Sequence, residues 1–100
     1  MRRGEIWIAS RLGHERKVVI VGHDGLTGKR DRVLVVPLSD VRAATLIEPV
    51  VHATDGEPAG VATTPGVGEI AKSSLTTHVG ALAPASVESL DVALRAAPDL

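Results

Sequence analysis

Apolar residues in this chain come in short runs cut by glycine and proline, and only the C-terminal segment carries a helical period. Glu5-Ile6-Trp7-Ile8-Ala9, Lys17-Val18-Val19-Ile20-Val21 and Val33-Leu34-Val35-Val36-Pro37-Leu38 are rich in β-branched residues and read as strands. Pro37 has no N–H to give a ladder, so the far end of the third strand is expected at an edge or bulge. Residues 45–53, interrupted by Pro49, predict a fourth strand, residues 60–64 a fifth and residues 76–82 a sixth. Residues 23–32 and 55–58 are loop or turn, and 65–68 (Pro-Gly-Val-Gly) break the pattern again. Residues 71–75 can form one helical turn.

The single convincing helix comes last. Pro84 suits a first helical position, Val87, Leu90, Leu94 and Ala97 share one face, and Pro98 ends the pattern. Short strands followed by one amphipathic helix predict a mainly β (α+β) fold: a small antiparallel barrel or highly curved sheet with the helix against it. Strands and helices do not alternate, which argues against a Rossmann-like sheet. No repeat or linker divides residues 1–100, so one domain is expected.

Composition narrows function by exclusion. With 100 residues the core is thin, and dimerisation would help it. The absence of cysteine removes disulfides, thiolate nucleophiles and Cys-ligated zinc. Trp7 is the only aromatic residue, so a platform stacking several bases is excluded. The longest apolar run, residues 33–38, is far shorter than a membrane span, and no secretory signal opens the chain. A soluble, cytoplasmic protein is expected. The net charge of −1 conceals an asymmetry: residues 1–42 hold nine of the eleven Lys and Arg against five acids, and residues 43–100 hold two against seven. Such a distribution can steer an anionic ligand to one face, although solvated surface charge gives the same pattern.

The reactive groups left are histidines, hydroxyls, carboxylates and arginines. His14-Glu15-Arg16, read as the loop entering the second strand, could bind a phosphate and move protons around it; an exposed charged loop is the plainer alternative. His23-Asp24-Gly25 reads as a turn, and His52 and His78 as partly buried strand residues. No HExxH or paired-histidine spacing marks a metal site, and Gly22 to Lys29 fails the phosphate-loop pattern because Arg30 follows Lys29. Ser39 ends the third strand, where its hydroxyl either meets a phosphate oxygen or begins a turn.

Arg3-Gly4-Glu5-Ile6-Trp7, Arg16-Lys17-Val18-Val19-Ile20-Val21 with His23-Asp24, and Val35-Val36-Pro37-Leu38-Ser39 together resemble the MazF/PemK family of toxin endoribonucleases. The likeness runs in order through residues 77–82 and into Ala83-Pro84 and the final helix. It implies a homodimeric SH3-like barrel that cleaves single-stranded RNA without metal or other cofactor. The ribose 2′-hydroxyl is the nucleophile, and a cyclic phosphate and a 5′-hydroxyl are the products. By position, Arg16 matches the family's catalytic arginine and Ser39 its catalytic threonine. Glu15 corresponds to an acidic residue of the first loop, and His14 is a candidate base. Arg11, Lys17, Lys29, Arg30 and Arg42 are the basic candidates for RNA binding. A MazE-like antitoxin is the implied protein partner, and no membrane is involved. Four places depart from the pattern: Lys17 stands where proline is common, the segment 10–15 is short, Ser39 replaces threonine and loses the methyl that fixes its rotamer, and 65–68 replace a Gln-Ile-Arg stretch. They keep open an alternative, a catalytically weak or inactive relative of the MazF or CcdB kind that binds a protein.

Overall fold

The computed structural model describes residues 2–11, 13–22, 31–39 and 49–96, with the side chains of residues 11, 65 and 96 excepted. Its strands are β1 (Glu5–Arg11), β2 (His14–Ile20), β3 (Arg32–Ser39), β4 (Val50–His52), β5 (Pro58–Ala62), β6 (Gly68–Ala71) and β7 (Leu75–Ala81). They are followed by the helix α1 (Pro84–Ala96), and 3-10 turns at Thr64–Gly66 and Lys72–Ser74 flank β6. The strands form one antiparallel sheet in the order β4-β5-β3-β2-β1-β7, with β6 also paired to β3. This is the curled, mainly β architecture with a terminal helix expected from the sequence. Among the described residues no helix is long and apolar enough to cross a membrane.

The sheet curls until its two ends meet. An isolated bridge joins Ala53 to Leu82. Beside it the Thr54 amide donates to the Ala81 carbonyl (3.0 Å) and the Ala83 amide to the His52 carbonyl (2.9 Å). Residues leaving β4 and β7 thereby satisfy each other's backbone groups, which would otherwise be left unpaired at two sheet edges.

Curling encloses one core and leaves a second on the opposite face. The inner cluster contains Ile6, Val19, Val36, Leu38, Val51, Leu82 and Leu90. The other holds Val18, Ile20, Val33, Val35 and Leu75, with Trp7, Ala9 and Ile70 packed on it. The apolar stretches Val18 to Ile20 of β2 and Val35-Val36 of β3 follow directly, because strands buried on both faces have no polar side to alternate with, whereas Leu34 of β3 is exposed. Helix α1 closes the inner core. Ala83 accepts from the Ser86 and Val87 amides, and Pro84 opens the helix as expected. Leu90 and Ala93 are buried, with Val87 and Leu94 beside them. Buried Ser86 accepts the His52 amide (2.8 Å) and fastens the helix to β4.

Two stretches differ from the sequence reading. The segment expected as a loop is an exposed hairpin in which β1 and β2 pair as far as Arg11 with His14. Gly13 supplies the positive φ of +81° that so short a connection needs. His14, Glu15 and Arg16 are therefore strand residues; being exposed, they give no apolar alternation to read. The second difference is β6, a strand among the described residues that was not expected. Ile70 is its only large apolar residue, and its order comes from pairing with Arg32 to Val35 of β3. The fourth strand is Val50–His52, and the part of it expected at residues 45–48 lies outside the described residues. The loop 23–30 and residues 97–98 lie outside them too.

Pro37 falls where β3 changes partners. Arg32 to Val35 pair with β6, whereas Leu38 and Ser39 pair with β5. The Pro37 carbonyl accepts both the Thr63 amide (2.9 Å) and the Thr63 hydroxyl (2.8 Å). Since N and C=O of an extended residue point to the same edge, its missing donor faces the gap between those two ladders. The far end of β3 is thus not at the edge expected for it: Leu38 and Ser39 pair with β5 inside the sheet, and Pro37 is accommodated where one ladder gives way to the other.

Candidate active site on the outer face of β2 and β3

Strand alternation sorts the candidate residues. On β2, Val18 belongs to the outer cluster and Val19 to the inner one. A period of two then sends His14 and Arg16 to the outer face and Glu15 and Lys17 to the other. The Lys17 ammonium accordingly donates to the Ala59 carbonyl of β5 (3.2 Å). On β3, Val33 and Val35 belong to the outer cluster, so Pro37 and Ser39 follow them outward.

The β2–β3 register pairs Val18 with Pro37. That pair is the last of the β2–β3 ladder; Arg16 and Ser39 each lie two residues beyond it, and alternation sends both to the outer face. Here β3 bends away toward β5, where Ser39 stands opposite Val61. Gly60 governs that approach. Its φ is +135°, and a Cβ on it would come within 3.1 Å of the Ser39 carbonyl oxygen. Only glycine lets the two backbones sit this close at this conformation.

An open depression of about 540 Å³ lies on this face. Val18, Val35, Pro37 and Ile70 give it an apolar floor, and Ala9, Gly66 and Gly68 leave it room. His14 and Arg16 line it, and Glu69 contributes from β6. Ser39 is one pleat past Pro37, beyond these lining residues. Arg16 is exposed, and its side chain makes no ion pair or hydrogen bond with the described residues. A guanidinium placed so keeps all its donors for a ligand, and suits a phosphate better than an ammonium would. Of the remaining basic candidates, Lys29, Arg30 and Arg42 lie outside the described residues, as does the Arg11 side chain. Among the described residues no three His, Asp or Glu side chains gather as a metal site would need.

A second polar constellation was missed by reading the strand histidines as partly buried: His52 and His78 are both exposed. Trp7 and His78 stack across β1 and β7, with ring centroids 4.9 Å apart and planes inclined by 18°. The indole Nε1 donates to Glu5 Oε1 (3.2 Å), and the Arg2 amide donates to the same oxygen (2.9 Å). Burial alone would push the Glu5 carboxyl up. The Arg2 and Trp7 hydrogen bonds and the nearby His78 charge outweigh burial together and hold it below the usual carboxylate value. The pairing of a Trp in one run with a His in another depends on register, which no single-sequence pattern reveals.

With this geometry in hand, solved structures give the fold class. An endoribonuclease bound to its cognate antitoxin from a mycobacterial species superposes with a TM-score of 0.84 at 18% identity, over 94% of this chain and 90% of that one. A MazE–MazF structure from Deinococcus radiodurans gives 0.79 at 13% identity, over 94% and 90%. The Mycobacterium tuberculosis toxin MazF-mt6 gives 0.74 at 22% identity, over 90% and 91%. The curled sheet with its terminal helix is thus the fold of MazF endoribonucleases. Family comparison takes the further step: residues 2–97 match the PemK-like, MazF-like toxins of type II toxin-antitoxin systems, and the chain belongs to that family.

Proposed function

We propose that this protein is a sequence-specific, metal-independent endoribonuclease toxin that cuts single-stranded RNA, with Arg16 and Ser39 at the reacting phosphate. What supports the reading is the strand alternation that sends Arg16 and Ser39 to the outer face, each two residues beyond the last β2–β3 pair, Val18–Pro37. Family membership supports the activity class.

In this mechanism the ribose 2′-oxygen attacks the adjacent phosphorus and loses its proton. A new O–P bond closes the 2′,3′-cyclic phosphate, the P–O5′ bond breaks, and the leaving oxygen gains a proton to become a 5′-hydroxyl. Negative charge grows on the phosphoryl oxygens as this happens. The Arg16 guanidinium stabilises it, and the Ser39 hydroxyl donates to the same oxygens. An arginine is charged at any working pH and is a poor proton acceptor, so the base must be another group. His14 shares the face and the depression with Arg16 and is the candidate; Glu15, one residue on, belongs to the opposite face by alternation. DNA lacks the nucleophile and would bind uncut.

The protein partner in this reading is a MazE-like antitoxin whose acidic or apolar tail covers the basic face, and the toxin works as a cytoplasmic homodimer. The test is incubation of a long RNA with wild-type protein and Arg16→Ala in chelator, followed by sequencing of the cut ends. Discrete 5′-hydroxyl ends from wild type alone support the proposal. Intact RNA with both proteins would favour the non-catalytic binding module instead.

A further inference from the structure

The Glu5–Trp7–His78 constellation plays no part in the proposed cleavage, yet it is built with more care than the surface around it. The imidazole of His78 is backed by the Trp7 indole. Its Nε2 lies 3.0 Å from the Gly80 carbonyl and 3.8 Å from Glu5 Oε2, and the indole behind is itself anchored to the other Glu5 oxygen. Backing and edge contacts thus fix the ring, while 47% of the His78 side chain stays exposed. A flat π surface, held rigid and open to solvent, is the kind of group on which an unpaired base stacks.

Its location relative to Arg16 decides the ligand. Trp7 and Ala9 are alternate residues of β1 and share the outer face, Ala9 faces Arg16 across β2, and His78 faces Trp7 across β7. Two residues along a strand and two strand spacings across give a separation of about 12 Å between the backbone positions of Arg16 and His78. A single strand extended by a nucleotide or two from a phosphate at Arg16 reaches that far. We propose that the outer face of His78, backed by Trp7, is a stacking subsite for one unpaired nucleobase flanking the phosphate held at Arg16. This rests on the nucleic-acid reading of the Arg16 face. With one indole in the whole chain, the subsite takes a single base.

The test uses full-length protein and a short, fluorescently labelled single-stranded DNA of mixed sequence, which binds without being cut. Anisotropy should show His78→Ala binding about 5- to 100-fold more weakly than wild type, the loss that follows when one stacked base is released. His78→Phe, which restores a flat ring, should recover most of the affinity and also controls for folding of β7. The same oligonucleotide with its bases removed should bind wild type and His78→Ala alike. Equal affinity of His78→Ala and wild type for the intact strand would overturn the subsite. So would an equal loss on the abasic strand, which would make His78 a charge contact. Concentration-dependent burial of the ring without any oligonucleotide would overturn it too, by giving this edge to a second copy of the chain. Cleavage of long RNA separates the two proposals. RNA left intact by a wild type that still discriminates intact from abasic DNA removes the nuclease and keeps the subsite. Normal cutting by His78→Ala with unchanged KM keeps the nuclease and removes the subsite.

Discussion

Arg16 and His78 are both exposed residues on the outer face of the same sheet, yet they are held in opposite ways. The Arg16 side chain has no hydrogen-bond or ion-pair partner among the described residues, and the backbone ladder of β2 and the depression beside it define its place. His78 is fixed by its neighbours: a ring behind it, a carbonyl at its edge and a carboxylate beyond. A guanidinium that no described side chain engages keeps its charge for a phosphate. A ring that is already immobile loses little conformational freedom when a base settles on it. The contrast is between a group that waits for its counter-ion and a group that has been built into a surface.

The largest effect should come from breaking the first of these. If Arg16 meets the charge that develops on the phosphoryl oxygens, Arg16→Ala should lower the cleavage rate by about 10²–10³-fold, the usual loss on removing one such donor. Because Arg16 is exposed, its thermal unfolding midpoint should stay near wild type. A rate within a few-fold of wild type, measured on single-stranded RNA in chelator, would detach this face from the chemistry.

Next in size is Gly60→Ala. Forcing an L-residue to φ +135° against the Ser39 carbonyl costs about 1–3 kcal/mol. That lowers the midpoint of thermal unfolding by about 4–8 °C for each kcal/mol in a domain of this size. If the β3–β5 crossing also sets where Ser39 stands, cleavage should fall by more than the unfolded fraction explains, with the deficit in kcat. A variant that is less stable but fully active below its transition would show that the crossing holds the fold and not the site.

Glu5 provides the pH test of the second region. Its carboxyl is held below the ordinary value in the folded protein, so the stabilisation is present above the unfolded pKa, about 4.3–4.5, and is lost as pH falls through the folded pKa. Wild type should lose stability through this acid range more steeply than Glu5→Gln, by about 1 kcal/mol or less given the partial exposure of the group. Parallel curves from pH 6 down to 3 would mean that the carboxylate does not stabilise the ring pair.

How much of this could be read from the chain follows from what each feature depends on. β2, β3 and α1 announce themselves because burial on one or both faces leaves an apolar record: Val18-Val19-Ile20, Val33 and Val35-Val36 in the strands, Val87, Leu90 and Leu94 in the helix. Pro37 could be read as a residue without a donor because its lacking N–H is a local fact, but the pairing of the strand end with β5 could not. The hairpin through His14 and the short β6 left no such record, since one is solvated and the other is ordered by its partner strand. At the site, Arg16 and Ser39 could be named from resemblance, whereas the meeting of Trp7 with His78 rests on register.

The smallest expected effect sharpens the same point about register. Lys17 adjoins Arg16 in sequence and counts equally toward the basic half of the chain, so charge alone gives both a part in binding RNA. Alternation sends Lys17 to the opposite face, where its ammonium donates to the Ala59 carbonyl. Lys17→Ala should therefore change the cleavage rate by no more than about twofold and stability by about 0.5 kcal/mol or less, as expected of a partly exposed, locally bonded residue. Its affinity for single strands should keep the salt dependence of wild type. A lysine that neutralises a phosphate reduces that slope by about 1 when removed. If Lys17→Ala flattens the slope by this amount while Arg16→Ala does not, the nucleic acid lies across the other side of β2, and the outer-face account fails along with the stacking subsite that rests on it.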